Sequence, residues 1–186
     1  GMASLGLDTV GIDVDAAKVD TLAAGRAPFF EPGLEDMLRR ALDAGALRFT
    51  TDVTGVDADV WFVCVGTPQQ PGSDAADLAF VDAAVEALRP HLRPGMLVVG
   101  KSTVPVGTAE RLAAMIEPTG ARLAWNPEFL REGLAVTDTL APDRLVYGVR
   151  EGDDASVAAL DAVYASILAR DTQRIVTDYA TAELVK

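Results

Sequence analysis

Short runs of apolar, β-branched-rich residues alternate along this chain with longer stretches whose apolar positions recur every third or fourth residue. The first pattern suits a strand buried on both faces, and the second a helix that buries one stripe. Strands are therefore expected at Thr9–Asp13, Leu47–Thr50, Val60–Val65, Leu97–Lys101, Arg122–Asn126, Arg144–Gly148 and Arg174–Thr177. Helices are expected at Lys18–Ala24, Glu35–Ala44, Asp77–Leu88, Ala109–Glu117 and Asp153–Leu168, with Asp77 placed to cap the third and Gly45 to end the second. This alternation predicts a doubly wound α/β fold: a mainly parallel sheet with helices on both faces. The chain opens with a partial helix, Met2–Leu5, and closes on TAELVK, the first turn and a half of a helix expected to begin at about residue 181. The segment Gln69–Ala76 is the most loop-like stretch.

Composition narrows the picture. A chain of 186 residues with 49% hydrophobic side chains has the size of one domain with one sizeable core. Its longest strongly apolar run, Val60–Val65, is far short of the ~20 residues of a membrane helix. Acidic residues outnumber basic ones 28 to 16, giving a net charge of −12, which opposes nucleic-acid binding. A small anionic ligand stays compatible with that charge, because a few cations and helix N-termini set the potential inside a cleft. The single cysteine, Cys64, and the absence of an export pattern at the start favour a cytoplasmic setting.

Polar groups gather at the expected strand ends. Asp13 closes the first strand with Lys18 five residues on, and it reads equally well as a helix cap or as an acceptor for ribose hydroxyls. Val65-Gly66-Thr67-Pro68 follows an apolar strand at the sheet edge where open α/β sheets bind ligands. Cys64 is expected inside that strand, packed and unreactive. Lys101-Ser102-Thr103-Val104-Pro105-Val106-Gly107-Thr108 ends the next strand with a cation and two hydroxyls, and Asn126-Pro127-Glu128-Phe129-Leu130-Arg131-Glu132-Gly133 ends the one after. Carboxylates at Glu128 and Glu132 could serve a helix N-terminus. Three successive strands that deliver such groups to one rim argue for a site instead.

These motifs, together with EPGL (Glu31–Leu34), RFTTD (Arg48–Asp52), PDR (Pro142–Arg144) and Thr177-Asp178 before TAEL, occur in an order that resembles the UDP-glucose/GDP-mannose type of nucleotide-sugar dehydrogenase across essentially the whole chain. The resemblance implies a Rossmann-like domain that binds NAD. It implies that Asp13 and Lys18 contact the adenosine ribose and its surroundings, that Val65, Gly66, Thr67 and Pro68 line the cofactor, and that Ser102 and Thr103 lie near the nicotinamide. It further implies that Glu128, Phe129, Leu130 and Glu132 address UDP-glucose or a related nucleotide sugar, with Glu128 as a base, Thr103 ordering a water and Glu132 as a second acidic group. The implied chemistry is a two-step oxidation of an alcohol to a carboxylate with two NAD⁺, through a cysteine-bound thioester.

Against that family pattern, the first strand and its GxGxxG turn are missing from these residues, as are the catalytic cysteine, its supporting Lys and Asn, and a C-terminal domain, all expected beyond Lys186. The expectation is a single partial dinucleotide-binding domain over residues 1–186, truncated at both ends, weak in NAD binding and not catalytically competent alone. Unpaired edges are expected beside the Thr9–Asp13 and Val60–Val65 strands, unless the two close up or another chain fills the gap. The alternative reading is a non-catalytic, nucleotide-binding or self-associating module, with a homo-oligomer possible under either.

Overall fold

A computed structural model describes residues 1–186. In chain order the elements begin with β1 (Thr9–Ile12), α1 (Ala16–Ala23), α2 (Leu34–Asp43), β2 (Leu47–Thr50), β3 (Val60–Val63), α3 (Ala79–Leu88), β4 (Leu97–Gly100) and α4 (Thr108–Ile116). They continue with β5 (Arg122–Trp125), α5 (Ala135–Leu140), β6 (Arg144–Gly148), α6 (Asp154–Val163), α7 (Ala165–Leu168), β7 (Gln173–Thr177) and α8 (Tyr179–Leu184). All seven expected strands form, and they fall into two sheets rather than one. The residues divide correspondingly into two compact units.

The first unit comprises Gly1–Val56, Phe129–Asp143 and Val163–Thr172. Its β1 and β2 run parallel, in register from Thr9 opposite Leu47 to Ile12 opposite Thr50. Glycine is required at position 11, because a Cβ there would lie 2.5 Å from the Phe49 ring. Asp15 caps α1 by accepting the amides of Ala17 and Lys18, so α1 starts two residues earlier than its apolar spacing suggests. The unexpected α5 reads AVTDTL, a β-branched and short segment with weak helix propensity. Tertiary bonds described below hold it.

The second unit comprises Asp57–Glu128, Arg144–Ala162 and Gln173–Lys186. Its sheet has the order β3-β4-β5-β6-β7. The first three strands are parallel, with Val63, Gly100 and Trp125 level at their carboxyl ends. β5 meets β6 antiparallel at a single bridge, Trp125 opposite Gly148, and β6 then pairs with β7 in parallel. Leu97, Val98 and Val99 of β4 are at most 1% exposed, which makes this strand the centre of the core. Gly100 allows the Trp125 ring to lie across the strand, since a Cβ would sit 2.1 Å from it.

Several boundaries correct the sequence reading. The helix expected over Asp153–Leu168 is two helices, because Tyr164 leaves helical geometry (φ −99°, ψ 17°) while the apolar spacing runs on across the break. Asp77 lies one residue outside the α3 cap, at Leu78, yet its carboxylate still accepts the Ala79 amide at 2.9 Å. α8 begins at Tyr179, because Asp178 accepts the Thr181 amide and caps it. β1 and β3 are edge strands, each paired with one neighbour. No helix is long and apolar enough to cross a membrane.

Candidate functional site

Within the second unit, the level ends of β3, β4 and β5 deliver the residues that follow them to one rim. Cys64, Lys101 and Asn126 each follow the last strand position by one residue, and Val65 follows Val63 by two. Side chains then stitch the three loops together. The Ser102 hydroxyl donates to the Val65 carbonyl at 2.6 Å, and the Thr67 hydroxyl donates to the Thr103 carbonyl at 2.7 Å. Val65, Gly66, Thr67 and Pro68 thus share an edge with Ser102 and Thr103. Gly66 has nothing within 4 Å of where a Cβ would lie, so its face is open to a ligand.

Lys101 is the centre of the rim's charge. Its side chain is 12% exposed and pairs with Glu128 Oε2 at 2.9 Å. The same ammonium donates to Asn126 Oδ1 at 3.0 Å, and Asn126 Nδ2 donates onward to the Val146 carbonyl at 2.9 Å. An ammonium this far out of water requires such acceptors. Lys186, at the far end of the chain, donates from Nζ to the Glu128 carbonyl. Partial burial lowers the Lys186 ammonium pKa, with Glu128 opposing that shift and Lys101 adding to it. Glu128 therefore lies between two ammonium groups, in reach of the loop that carries Ser102 and Thr103.

The path of α8 explains how Lys186 arrives there. Its Glu183 carboxylate is buried and accepts the amides of Gly107 at 2.7 Å and Ala109 at 2.6 Å, at the start of α4. The Tyr179 hydroxyl donates to the Leu123 carbonyl at 2.7 Å, and burial pushes its pKa up to about 12. Ala182 packs against Gly148 of β6, where a Cβ would come within 2.5 Å of the Ala182 methyl.

Cys64 corrects an expectation: it lies just past β3, and its residue surface is exposed. Crowding by the surrounding rim nonetheless desolvates the sulfur and pushes the thiol pKa up, Lys101 pulling against that and Glu128 adding to it. A thiol held protonated is a poor nucleophile.

The first unit carries the other expected residues. Asp13 follows the end of β1 and pairs with Lys18 at 2.5 Å, and it accepts the Asp15 amide at 3.1 Å. The Lys18 bond is the main cause of a lowered Asp13 pKa, so the group stays an ionised carboxylate that can accept hydrogen bonds from hydroxyls. An acidic acceptor at the end of a parallel strand is the kind of group that ribose hydroxyls require, so the residues of this unit fit that part of NAD. Phe129 is half-buried and Leu130 is exposed. Glu132 is exposed and makes no hydrogen bond or ion pair, so the Glu128 network does not include it.

Around them the turn is fastened by two other carboxylates. Asp138 accepts the Arg131 amide at 2.9 Å and the Arg131 guanidinium at 2.6 and 3.0 Å. Glu31 of EPGL accepts the amides of Gly133 at 3.0 Å and Ala135 at 2.9 Å. Sequence reasoning did not assign Glu31, Lys101, Asn126, Glu183 or Lys186 to the site. Glu31, Lys101 and Asn126 sat inside motifs already singled out, whereas the reach of Glu183 and Lys186 depends on tertiary packing.

Alternating strands and helices, with polar loops at the carboxyl ends of parallel strands, define a Rossmann-like nucleotide-binding protein. The family described as "UDP-glucose/GDP-mannose dehydrogenase family, NAD binding domain" matches residues 1–168, and the chain belongs to that family. It is 39% identical over 190 residues to a UDP-glucose 6-dehydrogenase of Rhizobium meliloti, covering 99% of this chain and 44% of that protein. Among solved structures, a UDP-glucose dehydrogenase from Pyrobaculum islandicum superposes with a TM-score of 0.89 at 40% identity, over 99% of this chain and 44% of that one. A GDP-mannose dehydrogenase from Pseudomonas aeruginosa gives a TM-score of 0.88 at 31% identity, over 100% and 44% respectively. The chain thus spans less than half the length of these relatives.

Proposed function

We propose that this chain supplies the NAD-binding part, and one wall of the sugar site, of an NAD-dependent nucleotide-sugar 6-dehydrogenase, with UDP-glucose as the substrate. The observation that carries this reading is the Glu128 carboxylate, paired with Lys101 at 2.9 Å beside the Ser102–Thr103 loop. In this reading Glu128 accepts a proton from the water that releases the acid product, and Thr103 orders that water. Phe129 and Leu130 hold the nucleotide sugar, and Glu132 faces it as a second acidic group. Asp13 and Lys18 serve the adenosine ribose, while Val65, Gly66, Thr67, Pro68 and Ser102 line the cofactor. NAD⁺, when bound, supplies the hydride acceptor.

The same reading holds that these 186 residues form one partial dinucleotide-binding domain, that they bind NAD⁺ weakly because they contain no GxGxxG turn for the pyrophosphate, and that they do not turn over alone. Their one cysteine, Cys64, has a thiol pushed toward the protonated form. Calorimetric titration of the chain with NAD⁺ and with UDP-glucose tests the proposal, binding of both being the expected result. Production of NADH on adding both would refute the claim of inactivity. The edge strands β1 and β3 favour a second reading, a self-associating module without catalysis. Binding of neither ligand, with a concentration-dependent oligomer in sedimentation, would select it.

A further inference from the structure

The EPGL motif does not enter the reaction just described, yet its carboxylate makes two well-placed long-range bonds. Glu31 sits in the loop ahead of α2 and reaches across about a hundred residues of chain to the amides of Gly133 and Ala135, at 3.0 and 2.9 Å. Those amides belong to the turn that leads out of Phe129 and Leu130 into α5. A single carboxylate can take both because Gly133 adopts a left-handed conformation (φ 78°), which a side chain at that position would strain. Asp138 takes the Arg131 amide in the same manner. The amides of residues 131, 133 and 135 are thus turned onto carboxylates of the protein, while those of Leu130 and Glu132 make no hydrogen bond within it.

We propose that Glu31 is a positioning residue for the nucleotide sugar: by clamping Gly133 and Ala135 it holds the turn so that the amides of Leu130 and Glu132 stay available to substrate oxygens. The inference rests on the nucleotide-sugar reading above. α5 is six residues long, rich in β-branched side chains and without a cap from its own side chains, so the turn has little local reason to hold this shape. Charge-assisted bonds to backbone amides are roughly twice as strong as neutral ones, and Glu31 makes two. No atom of Glu31 need touch substrate for its loss to be felt.

Glu31→Gln and Glu31→Ala in this chain, each titrated with UDP-glucose and with NAD⁺, provide the test. The glutamine keeps one acceptor and the shape, so its UDP-glucose affinity is expected to fall several-fold; the alanine is expected to lose about tenfold or more. NAD⁺ affinity is expected to stay within twofold for both, and faster amide exchange is expected at Gly133 and Ala135. UDP-glucose affinity equal to wild type in E31Q overturns the proposal and leaves the functional reading intact. Parallel loss of both ligands in E31Q also overturns it, since the effect would then be general. A wild-type chain that binds no UDP-glucose overturns the functional reading first, and the positioning role falls with it.

Discussion

Lys101 shows how one side chain can serve both fold and site. Its ammonium satisfies Asn126 Oδ1, in a residue 1% exposed, and fixes the Glu128 carboxylate on the same rim. Lys101→Met removes the donor at a buried acceptor, so it is expected to cost ~1–3 kcal/mol, read from the midpoint of urea unfolding. Gly100→Ala is expected to destabilise by a comparable or larger amount, ~1–3 kcal/mol, because its methyl would sit 2.1 Å from the Trp125 ring and the ring has little room to move. Asp138 gives a prediction in pH. The Arg131 guanidinium is the main cause that lowers its pKa from 3.8 to about 2. A depressed carboxylate contributes stability that is present above the unfolded value and is lost as pH falls through the folded one. Asp138→Asn should therefore flatten the dependence of the unfolding midpoint on pH between about 4 and about 2.

At the scale of elements, the strands were the most legible part, because runs such as Val60–Val63 and Leu97–Gly100 are buried continuously and carry their own signal. Their ends were read too long by one or two residues at Asp13, Val65, Lys101 and Asn126. The residues in question are polar or loop-forming and turn away from the ladder to make rim contacts, which a hydrophobic pattern cannot reveal. α5 carries no apolar stripe to reveal it, because what holds it is the Glu31 carboxylate on the Gly133 and Ala135 amides and the pairing of its own Asp138 with Arg131. The rim was legible as an ordered set of motifs, whereas the approach of Lys186 to Glu128 was not, since it depends on where α8 lies. That helix depends on its cap: Asp178 accepts the Thr181 amide at 2.8 Å. Asp178→Ala is expected to cost ~0.5–2 kcal/mol in thermal unfolding and to loosen the hold of Lys186 on Glu128, visible as changed NMR shifts at both residues.

For the whole molecule, the net charge of −12 and the site's local cations act in opposite senses. In the proposed reading an anionic nucleotide meets net repulsion at long range, while the ammonium groups of Lys101 and Lys186 stand beside Glu128 on the rim of the second unit. Added salt screens exposed charges over about 8–10 Å, so the on-rate for NAD⁺ is expected to rise as ionic strength goes from low to physiological. Stopped-flow fluorescence would check this; a rate that falls with salt would mean that the local cations dominate approach as well as binding.

The five-stranded sheet reverses direction once, between β5 and β6, where the backbone supplies only the bridge at Trp125 and Gly148. The Asn126 amide adds a second tie from Nδ2 to the Val146 carbonyl. The reversal is therefore a seam: pulled apart or warmed, the sheet would tear along that line first, into a three-ply and a two-ply ribbon, and a side-chain amide serves as its stitching.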